Sequence, residues 1–188
     1  GYSDVKHDYE RYANMWRYGL TPYRKHLYEY PPATIPLAAL ALEIDQRGIG
    51  NFYFNYRAQN FVLEILLFSL IILTLNKLAI SLAQKVLALS FYVLIAPLAK
   101  DYWYEGLDLI FMGTFTAGLC WRFLVGHKKL WQQTVFWSLF WVSVALKFMT
   151  GPLLAPSIFL RLFNKKRWKK ELAACTLGFL IVWGLPMA

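Results

Sequence analysis

Charge is what this sequence has least of. Only 16% of its 188 residues are Asp, Glu, Lys or Arg, while 58% are hydrophobic and 18% aromatic. An ordinary soluble domain carries about 25% charge, so the shortage excludes that class. Acid is scarcer than base, 11 residues against 20, leaving a formal charge of +9. A nucleic-acid partner needs those cations on one continuous wet face. Here they punctuate apolar runs, so no nucleic acid is expected and membrane topology accounts for them. Cysteine is nearly absent: Cys120 and Cys175 both lie inside apolar runs. There the thiol acts as a small hydrophobe, and neither a disulfide nor redox chemistry is expected. No H-E-x-x-H, clustered Cys/His set, Gly-rich phosphate loop or Ser/His/Asp order stands out, so metal and cofactor are both expected to be none. GYSDVKHDYE at the start has neither the n-region nor the h-region of a signal peptide. The chain ends inside the apolar run LGFLIVWGLPMA, and it reads as a piece of a longer polypeptide. It shows no convincing internal repeat.

What is present falls into two parts. From Ser3 to Trp16 the bulky residues Val5, Tyr9, Tyr12 and Trp16 recur at spacings of three and four. That periodicity predicts a helix with one aromatic face, with Ser3 as N-cap and Gly19 as stop. It is too polar to span a bilayer and suits the membrane interface. Pro22 and Pro31-Pro32 break the chain again. ATIPLAALAL (33–42) is apolar but too short to span, and EIDQRGIGNFYFNYRAQN reads as a polar connection. Apolar segments then follow at about 59–75, 85–98, 106–124, 134–146, 151–163 and 171–188; the first is broken only by Glu64. A span takes roughly 20 residues, so the shorter ones must borrow neighbours. The expectation is an all-α, multi-pass transmembrane helical bundle. Residues 1–58 would form an external loop with interfacial helices, and 59–188 about six membrane segments.

The cations set the topology. Lys77 and Lys85 flank one turn, His127, Lys128 and Lys129 a second, and NKKRWKK (164–170) a third. The positive-inside rule puts all three in the cytoplasm. The opening segment, KDYWYEG (100–106) and KFMTGP (147–152) then share the opposite face. Between Lys129 and Lys165 the chain must cross and return in about 35 residues, so each leg of about 13 helical residues rises only about 20 Å against a core of about 30 Å. The bend at KFMTGP is therefore expected below the outer surface, where irregular backbone needs protein or water around it.

Ionisable residues at membrane depth are functional candidates by default. Asp108 and Lys147 qualify, and Asp4 and Asp8, one helical turn apart, join them on the same predicted face. Each has a plainer reading. Asp108 can stabilise a helix N-terminus, Lys147 can snorkel along its stem, and Asp4 and Asp8 can be the wet edge of an interfacial helix. Glu43 and Asp45 mimic an acid-x-acid motif but read as solvated charge. His7 and His26 read as surface residues.

SDVKHDYERYANMWRYGLTPYRKHLYEYPP, with its GLTPY turn (19–23) and EYPP run (29–32), resembles the first external loop of the GT-C superfamily of membrane glycosyltransferases. It is most similar to polyprenyl-phosphate-mannose-dependent α-mannosyltransferases. WYEGLDLIF and ALKFMTGPLLAP (145–156) resemble two later landmarks of that family, in the same order. The family also has a span before its acidic residue and further helices after these, which this chain lacks. The resemblance implies a multi-pass enzyme of the cell membrane with an extracytoplasmic site. It would move a sugar, mannose in the nearest relatives, from a polyprenyl-phosphate donor to a hydroxyl of a glycan or glycolipid acceptor, with inversion. It makes Asp4 the catalytic base. Asp8, Glu29, Tyr30 and Asp108 become candidates for binding acceptor or sugar, and Arg24 and Lys147 for the lipid phosphate. Tyr23, Tyr28 and Tyr30 would pack on the prenyl chain or sugar ring, or anchor the interface. Two other readings stay open: a lipid-phosphate transferase moving another sugar such as aminoarabinose or arabinofuranose, and a transporter or scaffold with a ligand-binding external loop. A transporter should show repeats and paired broken helices.

Overall fold

The computed structural model describes residues 5–20, 34–98, 108–146 and 168–184. Every regular element among the described residues is helical. A π turn, Val5–Tyr9, leads into α1 (Glu10–Arg17). There follow α2 (Ile35–Gln46), α3 (Phe52–Lys77), α4 (Leu82–Leu98), α5 (Asp108–Val125), α6 (Leu130–Leu146) and α7 (Trp168–Phe179), with a final π turn Leu180–Gly184. The all-α expectation stands. Each described apolar segment of the sequence lies on one of these helices; 151–163 lies outside the described residues.

Local chemistry explains the boundaries. At the end of α1 the Gly19 amide donates to Trp16 C=O and the Leu20 amide to Met15 C=O, with Gly19 at φ +76°. This reverse turn absorbs the last carbonyls of the helix and wants a residue without Cβ. Gly48, at φ +77°, ends α2 in the same way, its amide on Asp45 C=O and that of Ile49 on Ile44 C=O. Asn51 Oδ1 then accepts the Phe54 amide at 2.8 Å and starts α3. Ser81 and Gln84 close a reciprocal capping box at α4: Ser81 Oγ accepts the Gln84 amide at 3.3 Å, and Gln84 Oε1 accepts the Ser81 amide at 2.9 Å.

These caps correct the expected long polar connection. EIDQ belongs to α2 and FYFNYRAQN to α3, which leaves only residues 47–51 between helices. The reason is amphipathic: Phe52, Asn55, Tyr56 and Asn60 are all buried, so this stretch has a packed face although its composition is polar. The sequence boundary between 58 and 59 therefore falls inside an unbroken helix.

By its contacts the chain divides into two compact units, Gly1–Leu66 with Ser81–Ile110, and Leu67–Ile80 with Phe111–Ala188. In the first, α1 packs on α2. Val5, Tyr9 and Tyr12, three of the four residues of the aromatic stripe, are buried, while Trp16 is exposed. The stripe is thus mostly a packing face rather than a wet one. In the second, α6 and α7 pack along each other around Phe136, Trp137, Phe140, Val144 and Ala174.

Among the described residues, one helix, Phe52–Lys77, is long and apolar enough to cross a membrane. Its 26 residues rise about 39 Å, more than a hydrocarbon core of about 30 Å.

Candidate functional site

The sequence-derived site is only partly within view. Asp4, Arg24, Glu29, Tyr30 and Lys147 lie outside the described residues, as do Tyr23, Tyr28, His26 and Ser3. α1 and its preceding π turn follow Asp4 directly, and α6 runs to Leu146, next to Lys147. Asp108 is the first residue of α5. Asp8 sits in the π turn, its carboxylate largely covered and 3.5 Å from Arg11 Nη2. Arg11 in turn lies over the Tyr12 ring, 4.8 Å from its centroid. The structure brings the Asp8-bearing helix and the head of α5 into the same compact unit.

Two expectations about bystanders are matched by direct observation. Glu43 pairs with Arg47 at 2.9 Å on the exposed end of α2, as a solvated i,i+4 ion pair. His7 is exposed. Cys120 is buried and Cys175 half-buried, and both are free thiols. Among the described residues, no three His, Cys, Asp or Glu side chains gather as a metal site would require.

Around α1 the first unit is rich in aromatic and amide groups. The Tyr9 and Tyr56 rings lie 5.3 Å apart, and Tyr56 stacks on Phe52 at 6.2 Å. Asn55 Nδ2 donates to Ile49 C=O at 2.8 Å, tying α3 to the turn after α2. Gly50, at φ +69°, comes so near Asn55 that an added Cβ would stand 3.0 Å from Oδ1. Further along the same helix, Asn60 and Glu64 are buried at successive turns. Glu64 is within electrostatic reach of Tyr92 on α4. A buried carboxylate on a helix long and apolar enough to cross a membrane meets the same criterion that singled out Asp108 and Lys147.

The best-defined polar cluster is in the second unit, and sequence reading did not single it out. Arg122 of α5 holds Glu171 of α7 with Nη2 to Oε1 at 2.7 Å and Nη1 to Oε2 at 3.5 Å. Trp137 Nε1 of α6 donates to the same Oε2 at 3.0 Å. Both charges are shielded, with side-chain exposures of 14% and 6%. The Arg122 guanidinium also lies 4.9 Å from the centre of the Phe136 ring. Each carboxylate oxygen accepts from a neighbouring helix, so this cluster joins three helices. The available signal was one cation and one anion in separate apolar segments, with an indole N–H between them in sequence.

No protein-family model, curated protein or solved structure matches this chain.

Proposed function

We propose that this chain is part of a multi-pass membrane glycosyltransferase. It transfers a sugar, mannose by its nearest likeness, from a polyprenyl phosphate to a hydroxyl acceptor at the extracytoplasmic face. Lipid contact is supported by α3, which is long enough to span. It is also supported by the large exposed apolar side chains of α3 and α4, among them Phe61, Leu66, Leu87, Phe91 and Leu94. A water-soluble surface of that kind would invite aggregation.

The observation that carries the catalytic reading is that the helix following Asp4 and the head of α5 at Asp108 belong to one compact unit. In the proposed reaction the acceptor oxygen forms a bond to the anomeric carbon, and the bond from that carbon to the phosphate oxygen breaks. Asp4 takes the acceptor proton, and the leaving group departs as polyprenyl phosphate. Phosphate leaves without a strong general acid, so one base contributes most, about 10²–10⁴-fold. Cations must hold the departing oxygens as charge develops there; Arg24 and Lys147 are the residues proposed for this. Asp8 is a weaker candidate base than Asp4, because its carboxylate already faces Arg11.

The test is Asp4→Asn in the full-length protein, assayed in membranes with radiolabelled polyprenyl-phosphate sugars. Transfer is expected to fall by about 10²-fold or more with expression and donor binding intact. Normal transfer would remove Asp4 from the mechanism. Glu64, buried on the helix long enough to span, favours a second reading, since ion-coupled transporters keep carboxylates at membrane depth. For a transporter, Glu64→Gln abolishes substrate uptake while Asp4→Asn leaves it intact.

A further inference from the structure

In the second unit three helix ends converge on one turn. Lys77, at the end of α3, donates Nζ to Leu124 C=O at 3.1 Å. Lys170, at the start of α7, donates to Lys128 C=O. The turn itself is pinned from within. Gln132 Nε2 donates to Val125 C=O at 3.1 Å while its Oε1 accepts the Lys129 amide at 2.9 Å. Gln133, fully buried, donates to His127 C=O at 2.7 Å. Gly126, at φ +91°, allows the reversal. These bonds hold Lys128 and Lys129 on a fixed loop beside Lys169 and Lys170, all exposed. The nearest acid in sequence, Glu171, is buried and fully engaged by Arg122 and Trp137, so it neutralises none of them.

We propose that this turn, with Lys77, Lys169 and Lys170, is a binding surface for the phosphate headgroups of anionic phospholipids. Charge alone would suit any polyanion; the surroundings choose the lipid. Trp131 and Trp168 are about half exposed beside the lysines, and Phe123 and Leu130 are exposed there too. Lys169 lies 5.8 Å from the centre of the Trp168 ring. Indoles and lysines at one level are the side chains that sit at a bilayer's headgroup layer, and the helix long and apolar enough to cross a membrane ends at Lys77, on this same turn. A rigid loop also lowers the ordering cost of binding.

The inference rests on the membrane reading but not on the glycosyltransferase one. Its test is native mass spectrometry of the full chain in detergent, titrated with phosphatidylglycerol or with phosphatidylcholine of the same acyl chains. Phosphatidylglycerol is expected to bind at least about ten-fold more tightly, since each lysine near the headgroups is worth about five-fold. The preference should shrink between 0.1 and 1 M salt as the screening length drops from about 10 to about 3 Å. Lys128→Gln/Lys129→Gln/Lys169→Gln should bring the two lipids near parity. The corresponding triple Arg variant should keep the preference, and Arg57→Gln in the first unit should not change it. Lys129 takes part in the cap of α6 through its backbone groups, which glutamine keeps, so the fold is expected to survive; if it does not, charge reversal at Lys129 alone serves the same purpose. Equal binding of both lipids by the unaltered chain, or tighter binding of a DNA oligonucleotide, overturns the proposal. A chain that stays monodisperse without detergent overturns the membrane reading beneath it.

Discussion

The two units are held together by different chemistry, although both contain apolar helices. In the second, a buried ion pair shared by α5 and α7 is locked by an indole from α6, and aromatic rings continue the contact edge-on. Trp137–Phe140 and Phe140–Trp141 lie at 5.6 and 5.3 Å, and Trp141–Phe179 at 5.2 Å. In the first, two tyrosine rings meet at a tilt, an asparagine ties a turn, and the Asp8–Arg11 and Glu43–Arg47 pairs reach solvent. The membrane setting proposed above would account for such a concentration of polar contacts. Apolar side chains gain little from leaving an equally apolar solvent, so close packing and buried polar contacts must hold helices together. The second unit has both, since Ala174 is fully buried and Gly178 lies against the backbone of α6. The first unit relies on aromatic faces and turns, and the candidate residues other than Lys147 belong to it.

The contrast can be broken most severely at Arg122. Arg122→Met strands the Glu171 carboxylate in a dry site, and thermal melting in detergent should show a loss of about 3–5 kcal/mol. The double variant Arg122→Met/Glu171→Met should recover most of it, because the helices then meet through apolar groups. A single variant as stable as the original would mean the clamp is incidental. Next comes Gly178→Ala. Its new Cβ would stand 2.8 Å from Ser138 N and 2.9 Å from Trp137 C, both backbone atoms that cannot rotate away. Overpacking of this kind costs about 1–3 kcal/mol, measurable by the same melt, and unchanged stability would show that α6 and α7 can separate freely. The smallest effect is expected in the first unit, where Asn55→Ala removes the bond to Ile49 C=O and costs about 0.5–1.5 kcal/mol. A larger loss there would make the α2–α3 turn as central to that unit as the ion pair is to the other.

Much of the helical layout was legible because periodicity and punctuation are local. The 3–4 spacing of Val5, Tyr9 and Tyr12, and the stop at Gly19, act within one or two turns of chain. The polar start of α3 was misread for the opposite reason. Its tyrosines and asparagines look like loop residues until Tyr9 is seen against Tyr56. Of the candidate site, Asp8 and Asp108 could be followed into the structure, and there Asp8 proved to have a neighbour in Arg11 that sequence reading had not weighed. Glu64 was noticed only as an interruption, since its burial beside Tyr92 depends on a second helix.

Composition and local spacing alone determined that this chain is apolar, basic and helical, with cations gathered at turns, because those properties depend on residue type and near neighbours. Which charges meet was decided only by tertiary packing. Arg122 and Glu171 are 49 residues apart, and nothing in either segment names the other. Their pairing follows from the way α5, α6 and α7 fill space, and burial then makes a partner obligatory for each.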